Sequence, residues 1–169
     1  MLGNAVYRNF QERSDIELTG VLRTNEASRT LRETATARLI IAPHFISNEV
    51  LGSIVDSVAP DEIINCVGYV KQRVQKNSSL DQIVLNSLFP HQVSELASRS
   101  GARFCHVSTD CVFSGELGGY AETDRPDPLD LYGATKWVGE VSGERNLTLR
   151  TSIIGHELRN RSGLLEWFL

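Results

Sequence analysis

The sequence contains one tyrosine and lysine pair whose spacing suits proton transfer, Tyr132-Gly-Ala-Thr-Lys136. Residues four apart lie on one face of a helix, so the phenol and the ammonium would be neighbours. A nearby cation stabilises phenolate, which predicts a lowered pKa for Tyr132 and proton exchange near neutral pH. The alternative is a chance pair on a solvated face. Four tyrosines and three lysines among 169 residues give about 0.07 such pairs by random placement.

Hydroxyl and carboxyl side chains come together in Ser108-Thr109-Asp110, at the end of a predicted strand. A hydroxyl at Thr109 would hydrogen-bond a substrate carbonyl beside Tyr132. The alternative is that the ends of strands favour Ser, Thr and Asp because these side chains satisfy the backbone groups of turns.

Three further features suit a dinucleotide. Gly3 opens the first helix and would let it pack closely against a strand. Arg23 ends a predicted strand, where a guanidinium would bind the 2′-phosphate of NADP; the alternative is an exposed arginine in an arginine-rich chain. Small residues in Cys66-Val67-Gly68 would let the backbone approach a cofactor, unless they serve strand packing alone.

Short apolar runs alternate with amphipathic stretches, which predicts strands separated by helices. This alternation indicates an α/β fold with a doubly wound parallel sheet covered on both faces. Ligands of such folds bind at the carboxyl ends of the strands. Strands are predicted at 15–22, 38–42, 62–67, 103–108 and 147–151. Helices are predicted at the start, at 47–58, at 79–101, at 131–144 and at 163–169, and Pro90 must either kink the helix at 79–101 or start a new one.

The composition predicts a single globular domain over residues 1–169. Apolar residues make up 41% and charged residues 22%, which excludes wholesale disorder. A net charge of −4 argues against a nucleic-acid partner held by bulk charge. No apolar run is long enough for a membrane helix, and no signal peptide is visible. Three cysteines suit a reducing cytoplasm, and the four histidines lack metal-ligand spacing. His106, which falls in a predicted strand, is interpreted as a core or sheet residue instead of a ligand.

Taken together, these features resemble the extended short-chain dehydrogenase/reductase family, and within it the dTDP-4-dehydrorhamnose reductases and their sugar-nucleotide relatives. The resemblance follows the order of the chain over most of its length. It rests mainly on three blocks: Val107–Gly115 (VSTDCVFSG), Tyr120–Pro128 (YAETDRPDP) and Leu131–Glu140 (LYGATKWVGE). Weaker matches are Met1–Gly3, Ile63–Gly68, Asn86 with Pro90, Arg150–Ser152 and Gly163–Leu169.

The resemblance implies reduction of a nucleotide-linked 4-keto-6-deoxy sugar with NADP(H), or NAD(H), for cell-surface polysaccharide precursors. Tyr132 would protonate the C4 oxygen of the sugar while a hydride arrives from nicotinamide. Lys136 would hold the nicotinamide ribose and lower the pKa of Tyr132. Thr109 would orient the carbonyl and Asp110 would contact the sugar. A homodimer is expected, and the cofactor would also contact Gly3, Arg23, Cys66, Val67, Gly68 and Val107.

The chain departs from the family at both ends. The first strand and the first two glycines of the G-x-x-G-x-x-G fingerprint would lie upstream of Met1, and the substrate-binding part would follow Leu169. We therefore expect an incomplete Rossmann-like sheet whose inner strands have unpaired or wrongly paired edges, and weak cofactor binding. Inside the chain, Ala42-Pro43-His44 replaces an acidic residue, and Ile153 replaces a tryptophan.

Two alternatives remain on the same scaffold. One is a non-catalytic regulatory or binding subunit, since a fold does not fix a function. The intact Tyr132 and Lys136 pair with Thr109 favours an enzyme. The other is a nucleotide-sugar epimerase or dehydratase. Dehydratases of this kind carry further acidic residues after the catalytic threonine, so Asp110 followed by Cys111 fits a reductase better.

Overall fold

The structure is a computed structural model that describes residues 2–31, 33–44, 47–69 and 79–155. Strands and helices alternate along these ranges, which confirms the α/β class. The strands are β1 (Leu18–Leu22), β2 (Ala37–Ile41), β3 (Glu62–Asn65), β4 (Arg103–Val107) and β5 (Asn146–Leu149). The α-helices are α1 (Leu2–Phe10), α2 (Asn25–Ser28), α3 (Asn48–Val58), α4 (Ser79–Gln82), α5 (Phe89–Ser100) and α6 (Leu131–Val138).

The chain forms two compact units. The first unit comprises the described residues of Met1–Val58 and Ile153–Leu169, and the second unit is Ala59–Ser152. A single domain over 1–169 therefore stays a prediction. No helix within the described ranges is both long and apolar enough to cross a membrane, and all three cysteines are free thiols.

Within the described ranges, each unit contains one parallel sheet. In the first unit β1 pairs with β2, from Leu18 opposite Ala37 to Leu22 opposite Ile41. In the second unit β4 lies between β3 and β5. These pairings are the 3-2 and 4-5-6 segments of the Rossmann order 3-2-1-4-5-6. Among the described strands, β1 and β3 each pair with one neighbour, and that neighbour is the one expected from the Rossmann order. The other edge of each strand is unpaired in these sheets.

The first unit places α1 on its sheet through a single buried aromatic side chain. Tyr7 is buried, and its ring covers Gly20 of β1. A Cβ at Gly20 would lie 2.8 Å from the ring of Tyr7 and 2.9 Å from Leu39, so only glycine fits there. The helix predicted at the start of the chain is confirmed.

The second unit builds its core on the central strand β4. Alternate residues of this strand and its extension, Phe104, His106 and Ser108, are buried. Val93 and Ala97 of α5 are buried as well. Period-two burial of this kind is expected of a strand with one face on the core. Here the buried face ends in polar side chains, at the edge where ligands bind in such folds.

Two helix boundaries differ from the sequence prediction. Residues 79–100 form α4, a π-helical turn at Ile83–Leu88, and α5 with Pro90 in its first turn. Of the two outcomes predicted for Pro90, the structure shows the start of a new helix, α5, after a wider turn; the proline lacks a backbone N–H and fits this first turn. Helix α6 ends at Val138 instead of near residue 144, with Gly139 as its cap. The helix predicted at 163–169 lies outside the described residues.

Candidate active site

The polar residues singled out in the second unit meet at the carboxyl ends of β3 and β4. Residues 66–69 follow β3, Ser108-Thr109-Asp110 follow β4, and Tyr132 and Lys136 come from α6. A 3₁₀ turn at Asp110–Val112 directs the chain away from β4. The site therefore forms where parallel strands end, as expected for an α/β fold.

A close backbone approach fixes Tyr132 beside Thr109. Asp130 caps α6, and its Oδ1 accepts the N–H of Gly133 at 2.8 Å. A Cβ on Gly133 would lie 2.3 Å from the carbonyl oxygen of Cys111, so the helix rests directly on the turn after Thr109. In this arrangement the hydroxyl of Thr109 lies close to the phenol of Tyr132.

The pKa of Tyr132 is raised above its ordinary value of 10.0, mainly because the half-buried phenol loses solvation. The hydroxyl of Thr109 opposes this rise, while nearby acidic groups add to it. The expected lowering of the pKa of Tyr132 by Lys136 is therefore wrong. Helical spacing places the two residues on one face, but burial decides the pKa of this phenol.

The amine of Lys136 is buried among backbone and imidazole groups. The residue is 5% exposed. Its Nζ donates to the carbonyl oxygen of Val107 at 2.8 Å and lies 3.3 Å from Nε2 of His106. Burial lowers the pKa of Lys136 to about 8, and Glu140 opposes this shift. Lys136 therefore has a pKa closer to neutral than an ordinary lysine, and the cause is burial and not contact with the phenol.

His106 links β3 to Lys136. It is fully buried, and its Nδ1 lies 3.1 Å from Nδ2 of Asn65. The Oδ1 of Asn65 accepts the N–H of Val67 at 2.9 Å. Burial, together with smaller contributions from Lys136 and His91, lowers the pKa of His106 to about 3, so the ring is neutral. The sequence interpretation of His106 as a sheet residue is confirmed, but its contact with Lys136 was missed.

Asp110 lies at the exposed side of the site. Its Oδ1 accepts a hydrogen bond from Thr109 at 3.2 Å, and its Oδ2 accepts one from Ser152. These hydrogen bonds, with Ser152 the larger cause, lower the pKa of Asp110. An exposed carboxylate next to Thr109 is available to hydroxyl groups of a ligand, which suits a sugar.

An ion pair supports the residue before Thr109. Glu140 accepts two hydrogen bonds from Arg150, at 2.8 and 2.9 Å. The same carboxylate accepts a hydrogen bond from Ser108 at 2.8 Å. Arg150 also lies over the ring of Phe113, 5.0 Å from its centroid, and donates to the carbonyl oxygen of Glu122. One guanidinium thus joins β5, the end of α6 and the loop after the 3₁₀ turn.

The π-helical turn anchors α6 through Asn86. The Oδ1 of Asn86 accepts the N–H of Tyr69 at 2.7 Å, and its Nδ2 donates to Thr135 at 3.3 Å. Ser87 donates to the carbonyl oxygen of Thr135 at 2.8 Å. The sequence pointed to Asn86, because Asn86 and Pro90 are among the residues that match the family. It did not indicate that Asn86 would contact Tyr69 and Thr135.

Two candidate residues lie in the first unit. Gly3 is in the first turn of α1, and Arg23 is exposed directly after β1. The other candidates, Cys66, Val67, Gly68, Val107, Thr109, Asp110, Tyr132 and Lys136, belong to the second unit. The roles of all ten stay predictions.

The second unit offers a place that fits the ribose side of a dinucleotide. Gly68 is exposed, and a Cβ there would lie 3.9 Å from Nζ of Lys136. A ligand crossing the backbone at Gly68 would therefore reach the amine. Exposed backbone without a side chain beside a buried donor is a suitable cradle for ribose hydroxyls.

Comparison with known proteins identifies relatives over most of the chain. The family model described as the RmlD substrate binding domain matches residues 1–161. A dTDP-4-dehydrorhamnose reductase from Burkholderia thailandensis is 33% identical over 109 residues, which cover 62% of this chain and 37% of that protein. The methionine adenosyltransferase 2 subunit beta of Danio rerio is 28% identical over 141 residues, 83% of this chain and 39% of that protein. The chain thus spans less than two fifths of these curated relatives.

Solved structures share the fold. The Bordetella bronchiseptica enzyme WbmG, in complex with NAD and UDP, aligns with a TM-score of 0.76 and 18% identity over 89% of this chain and 49% of that one. A dTDP-4-dehydrorhamnose reductase from Bacillus anthracis, in complex with NADP, aligns with a TM-score of 0.59 and 23% identity over 73% of this chain and 47% of that one. These likenesses confirm the Rossmann-like α/β class.

Proposed function

Because the chain belongs to the RmlD substrate binding domain family, a branch of the extended short-chain dehydrogenases/reductases, we propose that it forms part of a sugar-nucleotide reductase. The substrate is a nucleotide-linked 4-keto-6-deoxy sugar such as dTDP-4-dehydrorhamnose. The cofactor is NADP(H), with NAD(H) as the alternative. The reductase from Burkholderia thailandensis and the NADP complex from Bacillus anthracis support this choice.

One observation carries the proposal: Thr109, Tyr132 and Lys136 come together at the carboxyl ends of β3 and β4. Thr109 lies next to the phenol, and the backbone contact at Gly133 fixes Tyr132 beside it. Lys136 is held behind them on the carbonyl of Val107. An acid and a hydroxyl that converge on one point suit reduction of a carbonyl group.

Each residue has a distinct task in this reaction. Thr109 donates a hydrogen bond to the C4 carbonyl oxygen and orients it. Tyr132 donates its phenolic proton to that oxygen, and Lys136 binds the ribose hydroxyls through its amine. Asp110 accepts hydrogen bonds from the sugar. Bound NADPH would supply the hydride to C4. Arg23, exposed after β1, is the candidate for the 2′-phosphate.

The test is NADPH oxidation by the full-length protein with dTDP-4-dehydrorhamnose and UDP-linked analogues. Removal of a general acid lowers turnover about 10²- to 10⁴-fold. We expect this loss in Tyr132→Phe. Tyr7→Phe removes the same hydroxyl from the first unit and serves as the matched control. Turnover by Tyr132→Phe equal to that of Tyr7→Phe would overturn the mechanism.

The Danio rerio relative favours a second candidate, a non-catalytic subunit. This relative matches more of the chain than the reductase does, at lower identity. Binding alone needs no proton donor, so the gathered Thr109, Tyr132 and Lys136 support the enzyme. Recovery of a stoichiometric protein partner without turnover on any nucleotide sugar would support the subunit. Release of a C4 epimer or a dehydrated sugar, with no net oxidation of NADPH, would support an epimerase or dehydratase.

A further inference from the structure

Glu140, directly after α6, is a largely buried carboxylate that accepts three hydrogen bonds. Its side chain is 13% exposed. Oε1 accepts from the hydroxyl of Ser108 at 2.8 Å and from Nε of Arg150 at 2.9 Å, and Oε2 accepts from Nη2 of Arg150 at 2.8 Å. A carboxylate has no proton to donate, so Ser108 must be the donor in its contact. The two parallel bonds from the guanidinium fix the plane of the carboxylate and aim Oε1 at Ser108.

Net stability is a poor explanation for this ion pair. Removal of two charges from water offsets most of their mutual attraction, so a buried pair adds little to the free energy of unfolding. The pair does determine where the hydroxyl of Ser108 and the negative charge of Glu140 are held. We therefore consider the two groups of the candidate site that lie next to this carboxylate.

The first neighbour of the carboxylate is the strand end that carries Thr109. Ser108 is 3% exposed and is held at two points. Its N–H donates to the carbonyl oxygen of Leu149 at 2.7 Å, and its hydroxyl donates to Glu140. On the other side, the N–H of Cys111 donates to Oγ1 of Thr109 at 3.2 Å. Thr109 therefore has an anchored residue before it and a hydrogen-bonded turn after it, and together they set the position of its hydroxyl.

The second neighbour is the amine of Lys136, four residues before Glu140. The negative charge of Glu140 raises the pKa of Lys136, in opposition to the larger effect of burial. His106 of β4 lies 3.3 Å from the same amine, but its ring is neutral. His91 of α5 acts on His106. The positive charge of the amine is therefore balanced by the carboxylate and not by the imidazole.

The other elements packed against α6 bring acidic groups that act elsewhere. The π-helical turn has no charged side chain, and the carboxylate of α4, Asp81, is exposed. Asp110 of the 3₁₀ turn and Asp130 at the start of α6 act on the phenol of Tyr132. Within the described residues, the carboxylate after α6 is thus the acidic group that acts on Lys136.

We propose that Glu140 is a positioning residue for two members of the candidate site. Its hydrogen bond with Ser108 fixes the backbone that carries Thr109. Its charge, shared with Arg150, stabilises the ammonium of Lys136. The inference rests on the proposed function, in which Thr109 orients the sugar carbonyl and Lys136 binds the ribose. In this role Glu140 acts through its neighbours and touches neither the sugar nor the cofactor.

Two substitutions separate the hydrogen bond from the charge. Ser108→Ala removes the hydrogen bond and keeps the ion pair, so we expect an unchanged pKa for Lys136. Glu140→Gln removes the charge, but its amide oxygen can stay at the Oε1 position, which receives two donors. The guanidinium of Arg150 is then uncompensated, and both changes disfavour an ammonium. We expect Glu140→Gln to lower the pKa of Lys136 by about one unit.

A third substitution has the opposite sign. Arg150→Met leaves the carboxylate of Glu140 without its cation, so its charge acts more strongly on the amine and the pKa of Lys136 should rise. General loosening of the site would admit water and raise this pKa in Glu140→Gln as well, so opposite shifts identify the charge effect. The control is Glu62→Gln, which removes a carboxylate from the exposed ion pair with Arg103 and leaves the pKa of Lys136 unchanged.

Nuclear magnetic resonance on the full-length protein measures both effects without turnover. The ¹³Cε signal of Lys136, identified by its absence from Lys136→Met, gives the titration, with a wild-type pKa of about 8 expected. The ¹⁵N relaxation of the Thr109 amide should show added motion in Ser108→Ala and none in Glu140→Gln. In NADPH oxidation, Ser108→Ala should lower kcat about 10-fold with an unchanged KM for NADPH, because only the orientation of the carbonyl is affected.

Each variant can overturn the inference by itself. An unchanged or raised pKa of Lys136 in folded Glu140→Gln contradicts it. If that variant fails to fold, a pKa that does not rise in Arg150→Met, or an unchanged Thr109 amide in Ser108→Ala, contradicts it instead. A protein with the expected titrations and relaxation that reduces no nucleotide sugar would disprove the proposed function alone. Turnover by the wild type, with no shift of the lysine pKa in Glu140→Gln, would disprove only the inference.

Discussion

At the scale of single residues, Lys136 is withdrawn almost completely from water. Only 5% of the residue is exposed, and its amine contacts Val107 and His106. Its pKa falls from 10.5 to about 8 because burial disfavours the charged form. Protonation of this amine therefore works against folding, and the stability of the protein must depend on pH.

The stability contributed at Lys136 increases with pH. Between pH 8 and 10.5 the unfolded chain binds a proton at Lys136 that the folded chain does not, so stability rises with pH. Below pH 8 the whole penalty is present, about 3 kcal/mol. We expect the free energy of unfolding of the wild type to rise between pH 7.5 and 10.5, and that of Lys136→Met to lack this rise. Urea unfolding at several pH values measures both. Parallel curves for variant and wild type would contradict the burial argument.

The sequence was sufficient for some residues of the site and insufficient for others. Spacing alone identified Tyr132 with Lys136, and the end of a strand identified Thr109. His106 was recognised only as a sheet residue, because its partner Asn65 is 41 residues away on another strand. Hydrogen bonds between strands depend on register, which a single sequence does not specify.

At the scale of elements, the end of α6 packs unusually closely on the π-helical turn. A Cβ on Gly139 would lie 1.8 Å from the carbonyl oxygen of Asn86 and 2.9 Å from its carbonyl carbon. Because Pro90 has no N–H, the helix cannot offer the carbonyl of Asn86 its usual partner four residues later. Glycine at 139 lets α6 approach that carbonyl and holds Lys136 in place.

Gly139→Ala therefore tests the junction. The added methyl group would meet backbone atoms that cannot move independently, so we expect a loss of about 2 to 3 kcal/mol in the free energy of unfolding. Gly52→Ala in α3 is the control, because nothing lies within 4 Å of the added Cβ. That variant should gain about 0.5 to 1 kcal/mol. Equal effects at the two positions in urea unfolding would contradict the packing argument.

Element types were predictable from sequence, while their ends were not. Apolar periodicity located the described strands and the long helices, since it reflects burial directly. The shorter α6 and the π-helical turn depend on the contact between Gly139 and Asn86, which are 53 positions apart. A helix boundary fixed by such a tertiary contact has no local signature.

At the scale of the whole molecule, β4 carries a buried histidine through the middle of the three-stranded sheet. The pKa of His106 falls from 6.5 to about 3, mainly by burial. Between these values the unfolded chain is protonated at this position and the folded chain is not, so stability falls as pH falls from 6.5 to 3. The second unit thus has an intrinsic sensitivity to acid.

We expect His106→Gln to reduce that sensitivity. The wild type should lose about 5 kcal/mol through this group between pH 6.5 and 3, and the variant should not. His44→Gln, a substitution at an exposed histidine of the first unit, controls for the loss of a histidine as such. Thermal unfolding at several pH values gives the comparison. A wild type and His106→Gln with the same acid slope would contradict it.

The overall class was predictable, and the arrangement of strands only in part. Alternating strands and helices indicated parallel pairing, and the structure confirms it in both sheets. The division at Val58 and Ala59 was not foreseen, because no change of composition marks that point. Contacts between distant segments define a compact unit, and sequence periodicity does not report them.

Arg150 has a consequence for cleavage of the chain by proteases. Its guanidinium binds the carbonyl of Glu122 in the loop after the 3₁₀ turn, and it also binds Glu140, which in turn holds Ser108. A protease that cuts after glutamate needs the backbone at Glu122 to leave this guanidinium, and such local opening sets the rate of cleavage. The nicking rate at Glu122 is therefore a measure of how firmly the residue before Thr109 is held.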